Sequence, residues 1–337
     1  MIPGFRTLSP QTLRLLALFL ALLATVLFFS TQIEGYLSAR MFNRIATSAA
    51  VVLPIAVGQA IVIMTRNIDL SAGSVLGVVA YMTGQALGAM PELHPVLAVL
   101  LAMGIGGLAG VINGVIVAYG RVPSIIVTLG TLALFRSFLV EYSNATTITT
   151  ASLPAWLVDL PQRSLFSLGA MDLRVTVALA LAACVVVGLA LSRLRAARQF
   201  LAVGSNPDAA RMAGINAPRV VFLAFVLSGA LAGLSGFIFL AKFGNITVVA
   251  GMGFELKSIA AVVVGGVSIM GGSGTILGVL IGTVLVDTID NSLTRWALVS
   301  EFWRDALLGM LIMAAVTIDT LAVRSLARLR GTDGGKP

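Results

Sequence analysis

Cysteine and histidine are nearly absent from this chain. Its 337 residues include one cysteine and one histidine. A disulfide needs two cysteines, and a Cys/His metal site needs several such ligands, so neither can be built. A nucleophilic triad that depends on histidine has a single candidate, His94, in a short turn beside Pro95. We therefore expect no catalytic residue, no metal site and no cofactor.

Charged residues are also scarce, at 11%, whereas hydrophobic residues make up 58% and the mean hydropathy is +1.02. A soluble core of this length could not bury so much apolar surface. The formal net charge of +8 could suggest a nucleic-acid ligand, but the basic residues cluster at the ends of apolar runs and in one loop, without interleaved aromatic residues to stack on bases. The composition predicts an all-α integral membrane protein that contacts membrane lipid and binds no nucleic acid.

The apolar runs predict about ten transmembrane helices, within a range of eight to eleven. Their approximate bounds are 15–29, 47–64, 73–90, 96–119, 124–140, 175–191, 220–241, 257–270, 275–289 and 306–323. The eighth run is shorter than the ~20 residues of a full crossing, so we expect a short or re-entrant segment there. Basic residues before the first run and after the tenth place both termini in the cytoplasm, and residues 1–337 form one transmembrane domain.

Residues inside three of the runs predict local structure. In the second run, Pro54 and Gly58 predict a kink or an unwound turn. In the fifth, Arg136 is costly unless it is paired, and Glu141 is near enough in sequence to pair with it. Four glycines give the fourth run a face for close helix packing: Gly104, Gly106, Gly107 and Gly110.

The polar break at 192–219 is identified as a cytoplasmic loop by its charge. It carries one acid, Asp208, and five arginines: Arg193, Arg195, Arg198, Arg211 and Arg219. Its middle predicts a short helix, because Asn206 is a good N-cap, Pro207 fits the first helical position, and Asp208 places a carboxylate at the positive end of the helix dipole. Gly214 predicts the end of that helix.

Two interpretations of this short helix stay open. Ala209, Met212 and Ala213 fall on one side of it as a shallow apolar stripe. Two turns of helix are marginal in water without a packing partner. The helix either links two spans and packs on its own protein, or it docks into the groove of a cytosolic protein.

A solute path through the bilayer requires polar groups inside the spans, and those available are uncharged. The candidates for such a path are Gln59, Asn113, Thr128, Thr131 and Thr283. Uncharged donors and acceptors suit a neutral polyhydroxylated solute better than an ion, although each residue singly could instead bond one helix to another. The acids Asp69, Asp287 and Asp290 lie at span ends, where we expect caps. The run 266–273 has the glycine spacing of a phosphate-binding loop but glycine where lysine is needed, so we expect no nucleotide site.

Five segments together resemble the permease subunit of bacterial ABC sugar importers, most closely the ribose, rhamnose and autoinducer-2 branch. They are TRNIDLSAGSVLG, NGVIVAYGRVPSIIVTLGTLALFRS, GSNPDAARMAGI, GFELKSIAAVVVGGVSIMGGSGTILG and FWRDALLGMLIMAAV. They occur in the family's order, and the likeness covers residues 42 to 322. It implies a type II importer-like fold and a single permease domain that moves a monosaccharide such as rhamnose or ribose, or autoinducer-2, across the bacterial inner membrane.

The resemblance also implies the partners and their contacts. They are a second permease copy, identical or related, a cytosolic ATPase pair and a periplasmic binding protein. The segment 204–215 would be the coupling helix in the ATPase groove, with matched positions Gly204, Asn206, Pro207, Asp208, Ala210, Arg211, Gly214 and Ile215. The outer loop 142–174 and the segment 253–257, with Glu255 and Lys257, would contact the binding protein.

Two alternatives remain. An ion-coupled secondary transporter would work without an ATPase, and uptake driven by a proton or sodium gradient would identify it. A branched-chain amino acid ABC permease would share the architecture, and leucine binding by the cognate soluble receptor would identify that.

Overall fold

The computed structural model describes residues 10–169 and 171–296, together with eight single positions: 303, 306, 307, 309, 310, 313, 314 and 317. The helices of the continuous part, in chain order, are α1 (Pro10–Gln32), α2 (Ala39–Met64), α3 (Ala72–Ala89), α4 (Pro95–Gly114), α5 (Ser124–Ser143), α6 (Ala155–Asp159), α7 (Val175–Arg193), α8 (Arg195–Ser205), α9 (Pro207–Met212), α10 (Ala217–Phe243), α11 (Phe254–Val264) and α12 (Ile276–Arg295). A π-helical turn, Val115–Tyr119, extends α4.

Within these described residues, seven helices are long and apolar enough to cross a membrane. They are α1, α2, α4 with its π-helical extension, α5, α7, α10 and α12. With α3, of 18 residues, and α11, of 11, each of the first nine predicted runs corresponds to one helix. Most of the tenth predicted span, 306–323, lies outside the described residues. The prediction of about ten helices is compatible with this architecture.

The short eighth segment is present as α11. Eleven residues of α-helix extend ~16 Å, about half of the ~30 Å hydrocarbon core. The helix begins at Phe254, three residues earlier than predicted, and ends at Val264 before a glycine-rich turn leads into α12. The prediction of a short segment is confirmed, and its path through the bilayer stays a prediction.

The centre of the bundle is α2. In its most apolar stretch 89% of the residues are buried, against 11% in α1. It packs against α7, α10, α11 and α12, while α4 packs mainly against α10. A helix that is apolar on all sides is expected at such a position.

Glycine brings α4 and α10 into backbone contact. A Cβ on Gly106 would overlap the carbonyl oxygen of Gly229, and one on Gly110 would overlap that of Phe225. The predicted packing face is therefore confirmed for these two glycines. It is wrong for the other two, because a Cβ on Gly104 would meet no atom within 4 Å and one on Gly107 would make only ordinary contact at 3.9 Å.

Pro54 does not unwind α2. The helix is continuous from Ala39 to Met64, and the N–H of Ile55 is donated to the Ser235 Oγ on α10 at 3.0 Å. A neighbouring hydroxyl thus satisfies a backbone donor beside the proline, which is how helices in membranes tolerate this residue. The predicted unwound turn is absent.

The segment 142–174, between α5 and α7, contains a small β-hairpin that the sequence did not predict. Strand β1 (Ser164–Leu168) pairs with the antiparallel strand β2 (Met171–Arg174), which leads directly into α7. An isolated bridge between Ile148 and Ile246 joins this segment to the turn after α10. The bridge therefore fixes residue 148 of this segment against the turn after α10.

Candidate docking and translocation sites

The polar loop 192–219 folds as two helices, α8 and α9, between α7 and α10. Asn206 caps α9 as predicted, because its Oδ1 accepts the N–H groups of Asp208 at 3.1 Å and Ala209 at 3.0 Å. Pro207 and Asp208 occupy the first turn, and Gly214 adopts a φ of +79° just after the helix. The predicted short helix is confirmed with its start and its end, whereas α8 was not predicted.

The two sides of α9 have different environments. Ala210 is 5% exposed and packs on the protein's own core, with Ile215 half-buried beyond it. The stripe of Ala209, Met212 and Ala213 lies on the open side, where Met212 is 90% exposed. The exposed stripe is the face that a groove on another protein can cover.

Three of the candidate path residues converge on the segment 65–71 between α2 and α3. The side-chain amide of Gln59 is oriented so that its nitrogen donates to the Asp69 carbonyl at 3.1 Å and its oxygen accepts the Asp69 N–H at 3.2 Å. Asn113 Nδ2 donates to Ser71 Oγ at 2.8 Å, and Thr128 Oγ1 donates to the Ile68 carbonyl at 3.3 Å. These side chains are buried and hold an irregular piece of backbone inside the helix bundle.

The other two candidates bond to their own helices. Thr131 Oγ1 donates to the carbonyl of Thr128 at 3.4 Å, and Thr283 Oγ1 donates to that of Val279 at 2.7 Å. Asn113 differs from both because its buried Oδ1 accepts no hydrogen bond. It is the candidate with an acceptor left over.

Asp69 does not cap α3, although its position had predicted a cap, but bonds Ser71, the N-cap residue of that helix. Its Oδ1 accepts the N–H of Ser71 at 3.0 Å and the hydroxyl of Ser71 at 2.7 Å, just before α3 begins. Burial raises the pKa of this carboxyl above its ordinary value, against hydrogen bonds from Ser71 that lower the pKa.

The positions of Lys257, Asp287 and Asp290 differ from those expected. Lys257 Nζ lies 2.6 Å from Asp287 Oδ1 and 2.7 Å from Asp290 Oδ2, and Ser48 Oγ donates to Asp287 Oδ1 at 3.1 Å. All three charged residues are buried, so Lys257 does not face a binding protein and the two acids are not caps. Glu255 is half-buried; its Oε1 accepts the N–H of Gly253 at 3.2 Å.

A sequence signal for this buried charge cluster existed. Asp287 and Asp290 are three residues apart, which places them on one face of α12. Lys257 stands among apolar residues and requires a counter-ion. Thirty residues separate it from Asp287, so the pairing itself depends on how α11 and α12 pack.

Arg136 does not use Glu141 as its partner. Its Nη1 donates to the carbonyls of Val248 at 3.1 Å and Ala250 at 2.6 Å, in the turn between α10 and α11. Glu141 is exposed five residues along α5, a spacing that turns it away from Arg136. The predicted ion pair is wrong, and the arginine instead joins α5 to the turn between α10 and α11.

A cavity of about 930 Å³ opens where α2 begins and α12 ends. Four arginines line it: Arg40, Arg44, Arg174 and Arg295. Glu34 also lines it, which leaves the lining with an excess of positive charge. Such a cavity favours anionic groups, including the carboxylates of another protein.

Among the residues that the structure describes, no cluster of His, Cys, Asp and Glu could hold a metal ion.

Comparison with known proteins identifies a family and several relatives. A family model described as "Branched-chain amino acid transport system / permease component" matches residues 41–316. The chain is 35% identical over 315 residues to the autoinducer 2 import system permease protein LsrC of Enterobacter sp. (strain 638), covering 94% of this chain and 89% of the relative. It is 34% identical over 300 residues to the LsrC protein of Yersinia enterocolitica, covering 89% and 81%. No solved structure matches the chain.

Proposed function

Because the chain belongs to the branched-chain amino acid transport system / permease component family, we propose that it is the membrane-spanning subunit of an ATP-binding cassette importer for a sugar or sugar-like solute. It is a multi-pass protein of the bacterial inner membrane and moves the solute without hydrolysing ATP. The names of both relatives, which describe import of autoinducer 2, favour a sugar-like solute over a branched-chain amino acid.

The single observation that carries this proposal is the exposed apolar face of α9. This helix is capped by Asn206, anchored by Ala210, and leaves a shallow apolar stripe uncovered on the side away from its own protein. A six-residue helix with this exposure fits a groove on a cytosolic ATPase. ATP binding would then move α9, and α9 would move the bundle.

On the outer side, the arginine cavity and the ordered segment 142–174 support contact with a periplasmic binding protein. Arg40, Arg44, Arg174 and Arg295 would receive acidic side chains, since arginine bonds carboxylates in a bidentate way. Glu255, which is half-buried, stays a candidate contact. Lys257 leaves the set because Asp287 and Asp290 already bind it.

For the solute, we propose a path past the segment 65–71. Gln59, Asn113 and Thr128 hold this segment, and the unused Oδ1 of Asn113 can accept a bond from a solute hydroxyl. Thr131 and Thr283 would lie along the same route. A second permease copy, identical or related, would complete the pore, and both termini would lie in the cytoplasm.

Reconstitution into vesicles tests the proposal. The permease with its ATPase and its binding protein should take up the solute only when ATP is supplied to the ATPase side. Uptake that needs no ATPase and follows a proton or sodium gradient would instead identify a secondary transporter. Binding of leucine, and not of a sugar, by the soluble receptor would identify an amino acid importer.

A further inference from the structure

Three chain segments meet beneath α9, at the cytoplasmic end of the bundle. They are the end of α2 at Met64–Arg66, the end of α8 at Gly204–Ser205, and the turn before α12 at Gly271–Gly272. The N–H of Gly272 donates to the carbonyl of Met64 at 3.0 Å. The last turn of a helix leaves carbonyls without partners inside the helix, so this bond satisfies the end of α2 from a distant turn.

Arg66 satisfies the carbonyls at the end of α8. Its Nε donates to the Gly204 carbonyl at 2.5 Å and its Nη2 donates to the Ser205 carbonyl at 2.8 Å. These are the final carbonyls of α8, at the negative end of its dipole, where a cation is favoured. The planar guanidinium can bond both carbonyls at once, which an ammonium group cannot do in the same geometry.

The backbones at this junction leave no room for side chains. A Cβ on Gly204 would overlap the carbonyl of Met64, and one on Gly272 would overlap the backbone of Ser205. Arg66 itself has a φ of +65°, a conformation that non-glycine residues adopt at a cost and keep only where surrounding contacts hold it. The junction is therefore closely packed and specifically bonded.

We propose that Arg66 is the positioning residue that transmits the motion of α9 to the membrane-spanning helices. The proposal deepens the proposed function and rests on it. Ser205 directly precedes Asn206, the N-cap of α9, so a displacement of α9 pulls on the two carbonyls that Arg66 holds. Arg66 continues from α2, the buried centre of the bundle, and Gly272 connects the same point to α12. Movement of α9 thus reaches α2 and α12 through one bonded junction.

The test compares variants in the importer reconstituted with its ATPase and binding protein. Arg66→Ala should lower uptake per ATP hydrolysed at least tenfold while the ATPase still copurifies in normal amount, because the exposed stripe of α9 is untouched. The matched control is Arg193→Ala, an exposed arginine at the end of α7 and outside the three segments of the junction. The control should keep uptake within twofold of the wild-type rate.

Several results would overturn the transmission role. The role is refuted if the Arg66→Ala variant takes up as much solute per ATP hydrolysed as the wild-type protein. The role is also refuted if the ATPase no longer copurifies with the Arg66→Ala variant, since Arg66 would then shape the docking surface itself. If Arg66→Ala does not accumulate in the membrane, Arg66→Lys decides: it keeps the charge and should lose at least threefold in uptake per ATP, and an unchanged ratio would refute the role. An absence of ATP-dependent uptake by the wild-type assembly would instead remove the proposed function.

Discussion

The Nζ atom of Lys257 on α11 lies between two carboxylates of α12, 2.6 Å from Asp287 Oδ1 and 2.7 Å from Asp290 Oδ2. This pairing ties the half-crossing helix to a full span through buried charge. Removing one member of a buried ion pair leaves the other uncompensated, at a cost of about 3–5 kcal/mol.

We therefore expect Lys257→Met to lower the free energy of unfolding by about 3–5 kcal/mol, because Asp287 and Asp290 lose the buried ammonium group that lies between them. Thermal or detergent-induced unfolding of the purified protein measures the change. Asp159→Asn, at an exposed acid on the outer face, is the control and should change stability by less than about 0.5 kcal/mol. A Lys257→Met protein as stable as the control would show that the cluster does not hold α11 in place.

The glycine contact between α4 and α10 predicts opposite effects for two alanine substitutions on the same helix. Gly110→Ala should destabilise the protein by more than about 2 kcal/mol, because its Cβ would overlap the Phe225 carbonyl and force the helices apart. Gly104→Ala meets no atom within 4 Å and should be neutral or stabilise by up to about 1 kcal/mol through helix propensity. The unfolding midpoints of the two variants check this, and equal effects would contradict close packing at Gly110.

Sequence patterns predicted the helices well because hydrophobic runs and caps are local. Asn206 and Pro207 marked the start of α9, and each of the first nine runs became a helix. What the sequence could not supply was contact between distant segments. Lys257 and Asp287 are thirty residues apart, and the carbonyls that Arg136 bonds belong to a turn more than a hundred residues away.

The candidate site divides in the same way. The open face of α9 could be read from spacing alone. The junction under it could not be read from the sequence, since Gly204, Arg66 and Gly272 come from three separate parts of the chain. The need for glycine at 204 and 272 arises only when the backbones of these segments pack together in the fold. The polar path residues were individually visible, but only the fold shows that Gln59, Asn113 and Thr128 share one segment.

Arg136 should contribute to stability through backbone carbonyls and not through an ion pair. Arg136→Leu removes the donor to Val248 and Ala250, and we expect a loss of about 1–3 kcal/mol. Glu141→Gln should change stability by less than about 0.5 kcal/mol, because that carboxylate is exposed and away from Arg136. Unfolding measurements on both variants separate the two descriptions. A large loss of stability in Glu141→Gln would instead support an ion pair between Arg136 and Glu141.

The proposed orientation predicts which side of the membrane each exposed residue faces. In a protein whose single cysteine, Cys184, is replaced by alanine, Met212→Cys on α9 should react only with a membrane-permeant thiol reagent in intact cells. Leu165→Cys on the outer hairpin, 61% exposed, should react with an impermeant reagent as well. A reporter enzyme that works only in the periplasm should stay inactive when fused after Pro337. The reverse labelling pattern would invert the topology and remove α9 from the reach of any cytosolic ATPase.

Disrupting α9 should uncouple transport without preventing membrane insertion. Ala210→Pro removes an N–H that donates to the Asn206 carbonyl at 3.0 Å and places a proline inside a six-residue helix. Arg211→Glu keeps the helix but reverses a charge on its exposed surface. We expect either change to reduce ATP-dependent uptake at least tenfold, with normal amounts of protein in the membrane.

The matched control for this last prediction is Arg198→Glu, the same charge reversal at an exposed position of the adjacent helix α8. It should keep ATPase copurification and uptake near the wild-type level, because the contact is confined to α9. Uptake assays with quantified membrane protein distinguish the cases. If Ala210→Pro and Arg211→Glu both import at the normal rate, α9 is only a connection between α8 and α10, and the driving force enters the bundle elsewhere.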